Sequence, residues 1–161
     1  MNRFIIRTAL VVAALFFCAV ISQAQETSGV ETAVKEIVKK YDGKDKVNCM
    51  SIVKGGGLEL VKMALNKEFG KSFMKGVTSI TIIDYSDASE ATCAALRKEL
   101  EVFSSLLQEF NLNEEKQFSD NDYIKCFASE NSGVLSDFVV ALESDKSKTI
   151  MYMAGKIIVE Q

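Results

Sequence analysis

The sequence contains no histidine, no proline and no tryptophan among its 161 residues. The absence of histidine excludes Ser-His-Asp triads, Cys-His nucleophile pairs and imidazole metal sites, because each of them needs an imidazole ring. The absence of proline leaves glycine and the Asn/Asp/Ser clusters as the turn signals of the chain. The composition therefore argues against the commonest hydrolase and zinc-site classes.

Cysteine is scarce, and Cys18, one of the four, falls in an apolar run near the N-terminus. The other three are Cys49, Cys93 and Cys126, and no C-x-x-C pair supports thioredoxin-type chemistry. Cys93 lies on an apolar stripe with helical spacing, Cys126 in an alternating strand pattern and Cys49 in an apolar strand segment. This placement favours three free thiols that behave as small hydrophobic residues, and one disulfide plus one free thiol is the alternative.

The N-terminus has the pattern of a signal peptide. Arg3 and Arg7 precede an apolar run over residues 8–21, and the motif Ser-Gln-Ala that ends at Ala24 fits a signal peptidase site. The run is too short to span a bilayer, which takes about 20 residues. We therefore predict a cleaved signal over residues 1–24, a periplasmic or extracellular protein, and no transmembrane segment after cleavage.

Cleavage at that site leaves 137 residues, numbered 25–161, which is the size of one domain. The signal contains two of the 19 basic residues and none of the 22 acidic ones, so the mature chain has a net charge of −5. Nucleic acids and anionic membrane surfaces both favour clustered Lys and Arg. We predict neither as a partner, and no motif indicates a cofactor.

Helical and strand patterns alternate in the first half of the mature chain, and strands dominate the second half. Helices are predicted at 30–41, 58–65 and 89–110, and strands at 47–53, 77–83, 112–118, 123–128, 135–142 and 149–159. This order predicts an α+β domain with a mixed, mostly antiparallel sheet, helices packed on one face and a β-meander in the C-terminal half. Apolar runs in the last two strands indicate that both faces are covered; an exposed apolar face that meets a partner is the alternative.

The pattern resembles a known family in the segments "VNCMSIVKG", "VTSITIIDYSD", "DYIKCFAS" and "LSDFVVALESDKSKTIMYMAGKI". Together with the exported start and the early helix, they look like domain-of-unknown-function family 4252, from about Val34 to Ile157 and including the late glycine Gly155. Members are small exported proteins of Gram-negative bacteria without an established activity. The resemblance implies a fold and a compartment, and it carries over no catalytic residue.

A glycine run, Gly55, Gly56 and Gly57, lies between a predicted strand and a predicted helix. Backbone N–H groups at such a junction can bind an anion, so these residues are candidates for an anion or nucleotide site, although a flexible turn explains them better. The Gly-Lys-Ser that follows at 70–72 does not complete a Walker loop, because Leu65 stands where its first glycine is needed. We interpret Gly70 as a helix C-cap.

Ser72 and Lys75 fit the S-x-x-K pattern of penicillin-recognising enzymes, in which the serine attacks an acyl group with help from the lysine. The tripeptides at 119–121 and 148–150 follow in the order of the S-D-N and K-T-G motifs of those enzymes. However, residues 51–54 fit S-x-x-K equally well, an isoleucine replaces the last glycine, and the chain is too short for the two-part architecture. A small serine hydrolase of cell-wall material is therefore only the alternative.

Asp84, Tyr85 and Asp87 cluster at the end of a predicted strand, where a binding loop and a capped turn are equally good explanations. The acidic turn at 120–122 lacks the glycine and distal glutamate of a calcium loop. No residues converge on a catalytic pattern. We therefore expect a non-enzymatic exported domain that binds a protein or a cell-envelope component.

Signal cleavage would make Gln25 the first residue of the exported chain, and an N-terminal glutamine can cyclise with loss of its positive charge. We expect the intact mass of the exported protein to match a chain that starts at a cyclised Gln25. A mass that corresponds to a free N-terminal glutamine would contradict this prediction.

Overall fold

A computed structural model describes residues 28–53, 55–69, 74–110, 123–132 and 134–158. Its helices are α1 (Ser28–Tyr41), α2 (Gly56–Phe69), α3 (Glu90–Glu99) and α4 (Glu101–Leu106). Its strands are β1 (Asn48–Val53), β2 (Gly76–Asp84), β3 (Gln108–Phe110), β4 (Tyr123–Asn131), β5 (Val134–Ser144) and β6 (Ser147–Ile158). Among these helices, none is long and apolar enough to cross a membrane.

The six strands form one antiparallel sheet in the order β1-β2-β6-β5-β4-β3. Strands β4, β5 and β6 follow one another as hairpins, whereas β2 inserts between β1 and β6. The longest strands, β5 and β6, therefore lie in the middle of the sheet, and β1 and β3 form its two edges among the described residues. The predicted α+β class and the C-terminal meander are confirmed.

Each interior strand buries side chains on both of its faces, as the apolar runs of β5 and β6 predicted for those two strands. The first face packs against α1, α3 and α4 through Ile83, Phe127, Val139, Ile150 and Tyr152. The second face includes Ile80, Cys126, Val140, Met151 and Met153, and Leu58 and Val61 of α2 pack with it. The prediction that the helices pack on one face is not confirmed, because α2 contributes to the opposite cluster from the other three helices.

The predicted helix over 89–110 is too long and is wrong at its C-terminal end. It divides at Leu100 into α3 and α4, and the backbone at Leu107 is extended, with φ −134° and ψ 163°. Gln108–Phe110 then pairs with β4 as an edge strand. The apolar stripe from Cys93 to Leu107 is nevertheless buried throughout, so the periodicity located the packed side chains correctly. The predicted strand at 112–118 lies outside the described residues.

A line of register shifts crosses the sheet. The shifts fall between Val77 and Ser79 in β2 and between Ser136 and Phe138 in β5, and Gly155 of β6 lies between them. Gly155 has φ +98°, and a Cβ atom built there would be 2.3 Å from the carbonyl oxygen of Gly76. Only glycine combines this conformation with so close an approach of two backbones.

We expect Gly155→Ala to lower the free energy of unfolding by at least about 2 kcal/mol, because it adds both a strained φ angle and a backbone clash. Gly56→Ala is the matched control, since no atom lies within 4 Å of its added Cβ. It should change the stability by no more than about 0.5 kcal/mol. Urea denaturation of both variants measures the difference, and equal midpoints would contradict this account of the sheet.

Candidate functional site

The triple glycine forms the junction between β1 and α2. Gly55 has φ +96°, which explains glycine at that position, and α2 begins at Gly56. All three glycines are exposed, and a Cβ added at Gly55 or Gly56 would meet no atom within 4 Å. The junction is therefore an open turn at a helix N-terminus, as the sequence predicted.

The charge at this helix N-terminus acts against anion binding. Glu59 lies in the first turn of α2, and its carboxylate is 3.4 Å from Lys62 Nζ. The N–H of Glu59 already donates to the carbonyl oxygen of Gly55 at 3.3 Å. A carboxylate favours the positive end of the helix dipole and repels a second anion there. The anion-site hypothesis for Gly55, Gly56 and Gly57 stays a prediction, and this geometry adds nothing in its favour.

The acids at the end of β2 serve the turn that follows them. Asp84 Oδ1 accepts hydrogen bonds from the N–H of Ser86 at 3.0 Å and from its hydroxyl at 2.7 Å. Ser86 Oγ in turn accepts from the N–H of Lys148 at 3.0 Å, which joins this turn to the start of β6. Asp87 is exposed. These contacts favour the capped turn over a binding loop.

Tyr85 is fully buried and belongs to a hydrogen-bonded network on the first face. Its hydroxyl donates to Glu143 Oε1 at 3.0 Å, and Arg97 Nε donates to the same carboxylate at 2.9 and 3.0 Å. The Arg97 guanidinium also lies 5.5 Å from the centre of the Tyr123 ring. Burial raises the pKa of Tyr85, with the Glu143 charge adding to the shift. The network connects α3 to β5 and to Tyr85, the residue that follows β2. The Tyr85 hydroxyl, the Arg97 guanidinium and the Glu143 carboxylate satisfy one another's hydrogen bonds.

The three described cysteines are free, and they differ in burial. Cys93 and Cys126 are buried, as predicted, and Cys49 is half-buried on the edge strand β1. Burial raises the pKa of Cys126 and raises that of Cys49 to about 11, so both remain protonated thiols at neutral pH. Cys93 accepts a hydrogen bond from Lys148 Nζ at 3.3 Å. These contacts fit the predicted role of the cysteines as small packed side chains.

The sheet register separates the parts of the serine-hydrolase pattern that the structure describes. Lys75 immediately precedes β2, whereas Thr149 pairs with Asp84 at the far end of that strand. A nine-residue strand therefore stands between Lys75 and Lys148, which places them about 30 Å apart. Ser72, Gly70 and the tripeptide at 119–121 lie outside the described residues. Lys75 and Lys148 therefore cannot belong to one active site.

The feature that sequence reasoning missed is a set of exposed apolar side chains on β1 and on α2, the helix that follows it. In the described part of the chain, four of the five exposed large hydrophobic side chains belong to β1 and α2: Met50 at 53% exposure, Val53 at 63%, Leu60 at 69% and Met63 at 68%. We call these four residues and the outer backbone edge of β1 the β1–α2 surface. The sequence signal was the absence of charge in the strand predicted at 47–53.

The apolar runs of β5 and β6, by contrast, are not exposed. Phe138, Val139 and Val140 are at most 1% exposed, and Met151 and Tyr152 are at most 7% exposed. The prediction that both faces of these strands are covered is therefore confirmed.

Asp137 is a buried carboxyl group that the sequence did not single out. It adopts φ +50° at the register shift of β5 and is only 4% exposed. Tyr152 donates a hydrogen bond to its Oδ1 at 2.7 Å. Burial raises the pKa of Asp137, and this hydrogen bond offsets part of the rise. The Tyr152 hydroxyl is a neutral donor, and it leaves most of the desolvation cost of the Asp137 charge uncompensated.

Comparison with known proteins finds no matching family model, no matching curated protein and no matching solved structure. The resemblance to domain-of-unknown-function family 4252 stays a prediction.

We expect Asp137→Asn to stabilise the protein at pH 7 by on the order of 1 kcal/mol, because asparagine accepts the Tyr152 hydrogen bond without a charge and tolerates a positive φ. Since the folded-state pKa of Asp137 is raised above its ordinary value of 3.8, the wild type loses stability as the pH rises through that raised pKa. The advantage of the variant should therefore disappear at acid pH.

Chemical denaturation at acid and neutral pH measures this difference. Asp137→Ala is the control, because it removes the acceptor as well as the charge and should destabilise the protein at both pH values. An Asp137→Asn variant that is less stable than the wild type at pH 7 would contradict the account.

Proposed function

We propose that this chain is an exported, non-enzymatic domain that binds a protein through the β1–α2 surface. The observation that carries the proposal is the open edge of β1. Among the described residues, β2 is the one strand that pairs with β1. Asp42 Oδ1 accepts a hydrogen bond from the N–H of Cys49, so the outer edge of β1 is open beyond Cys49.

Edge strands of stable monomers are normally protected from pairing by charged side chains, prolines, bulges or very short strands. Strand β1 has six residues, Asn-Cys-Met-Ser-Ile-Val, without a charge or a proline. Its register with β2 runs from Asn48 opposite Asp84 to Val53 opposite Ser79 without a shift. The strand therefore has none of the usual protective features within its own length.

The other edge of the described sheet differs from β1. Strand β3 has only three residues, and Glu109 within it forms an ion pair with Lys125 of the neighbouring β4. A short edge strand with a charge is a poor template for another strand. This contrast favours β1 as the edge that receives a partner.

An extended polypeptide fits such an edge better than other envelope components do. Strand addition supplies main-chain hydrogen bonds at the spacing of a β-ladder, and alternate side chains then meet pockets or apolar surface beside the edge. Met50 and Val53 lie on opposite faces of β1, so an added strand would cover apolar surface on both of its faces. This is the reason for choosing a protein as the partner.

The two buried carboxylates Glu143 and Asp137 both have partners within the fold, which supports a structural rather than a catalytic role for them. Glu143 is used by Tyr85 and Arg97, and Asp137 by Tyr152, all within the packed first face. The proposal therefore assigns the function to the surface and not to these groups.

We expect a photoreactive phenylalanine analogue at position 50 to cross-link the protein to a polypeptide in the cells that produce it. The same analogue at Val102 is the matched control, because Val102 is also an exposed large hydrophobic residue but lies on α4. Adding Ser51→Lys should abolish the product at position 50, since a charge on an edge strand opposes strand addition. No product at position 50, or an equal yield at position 102, would contradict the proposal.

A further inference from the structure

We propose that the partner at the β1–α2 surface is a second copy of this chain. In this dimer, β1 pairs antiparallel with β1 of the other copy, and the two six-stranded sheets join into one continuous sheet. The inference rests on the proposed function, because it names the protein that the open edge binds.

Symmetry selects the antiparallel arrangement. A two-fold axis perpendicular to the sheet brings the same surface of both copies together and makes the two β1 strands antiparallel. It also keeps the first face of one copy continuous with the first face of the other. Two residues that lie directly opposite across the seam must then point to the same face of the joined sheet. This condition excludes every second register, because a shift by one residue would place a first-face residue opposite a second-face residue.

The side chains of β1 select the register within that limit. With the axis at Ser51, Met50 lies opposite Ile52 of the second copy, and Cys49 lies opposite Val53 of the second copy. Both pairs are apolar, and the two Ser51 side chains face each other. With the axis at Met50, Asn48 would instead lie opposite Ile52 of the second copy, which matches a polar with an apolar side chain. The axis at Ser51 is therefore the better register.

Exposure and charge agree with this register. Met50 and Val53 are more than half exposed in the single chain, and both become covered across the seam. No charged residue lies in β1, so the seam brings no like charges together. Such apolar cross-strand pairs are worth some tenths of a kcal/mol each, in addition to the shared ladder of hydrogen bonds.

Charges of both signs flank β1: Lys54 follows the strand directly in the sequence, and Glu59 of α2 pairs with Lys62. Lys44 and Lys46 are exposed at the N-terminal end of the strand. The carboxylates of Asp42 and Asp45 in the same loop instead accept hydrogen bonds from the N–H of Cys49 and from Ser89. Antiparallel pairing places this end beside the first turn of α2 of the second copy, where its exposed Glu59 lies.

The size of the contact predicts a reversible dimer. A six-residue edge with a few apolar side chains buries less than the roughly 1,600 Å² of a standard protein interface. Weak complexes of this size have dissociation constants of about micromolar or higher. The protein should therefore change from monomer to dimer over a concentration range that solution measurements reach.

Sedimentation velocity of the protein purified after expression of the full chain tests this directly. We expect the weight-average mass to rise from one chain towards two as the concentration increases. Ser51→Lys should remain monomeric over the same range, and Ser104→Lys, which puts the same charge on an exposed position of α4, should behave like the wild type. Circular dichroism of both variants verifies that they fold.

A cysteine at the proposed axis gives a second test that does not depend on a disruptive variant. Directly opposite residues of antiparallel strands have Cα atoms about 4.5–5.5 Å apart, within the range that a disulfide bridges. In a Cys49→Ala background, Ser51→Cys should form a disulfide-linked dimer under mild oxidation in much higher yield than Ser104→Cys. Equal yields would overturn the register.

A wild type that stays monomeric at all concentrations would overturn the dimer itself. The photo-cross-link at position 50 separates this failure from failure of the proposed function. A product with the mass of two copies supports both proposals. A product with a different polypeptide, from a protein that is monomeric in sedimentation, overturns the dimer and leaves protein binding in place. No product overturns both.

Discussion

The unpaired backbone edge of β1 is the constraint on which this account of the molecule depends. Interior strands of the sheet satisfy their N–H and C=O groups on both sides, whereas β1 pairs on one side with β2 among the described residues. Water can satisfy those groups, but Met50 and Val53 expose apolar side chains on either side of the same edge. The edge therefore gains both hydrogen bonds and apolar burial when another strand adds to it.

The rest of the fold holds this edge in place. Strands β5 and β6 are buried on both faces, and the close approach of Gly155 to Gly76 joins β6 to the start of β2. The bond network around Glu143 fastens α3 to the first face. A rigid sheet interior keeps β1 extended and in register, so little conformational entropy is lost when it receives a partner.

Sequence patterns predicted the sheet interior well because burial on both faces leaves a continuous apolar run, as in β5 and β6. They failed at the end of the long helix, where β4 pairs with Gln108–Phe110 and this tertiary pairing overrides the local helical preference. They also missed the open edge of β1. A charge-free strand such as β1 has the composition of an interior strand, and only the topology shows that one of its neighbours is absent among the described residues. The burial of Asp137 was likewise not predicted, because it follows from a register shift in β5.

Hydrogen–deuterium exchange of the β1 amides at low and high protein concentration tests the central claim most directly. If the edge pairs with a second copy, the outward-facing amides of β1 will exchange more slowly in the concentrated sample, and those of β6 will be slow in both samples. Exchange in β1 that is equally fast at both concentrations would contradict the claim that this edge associates.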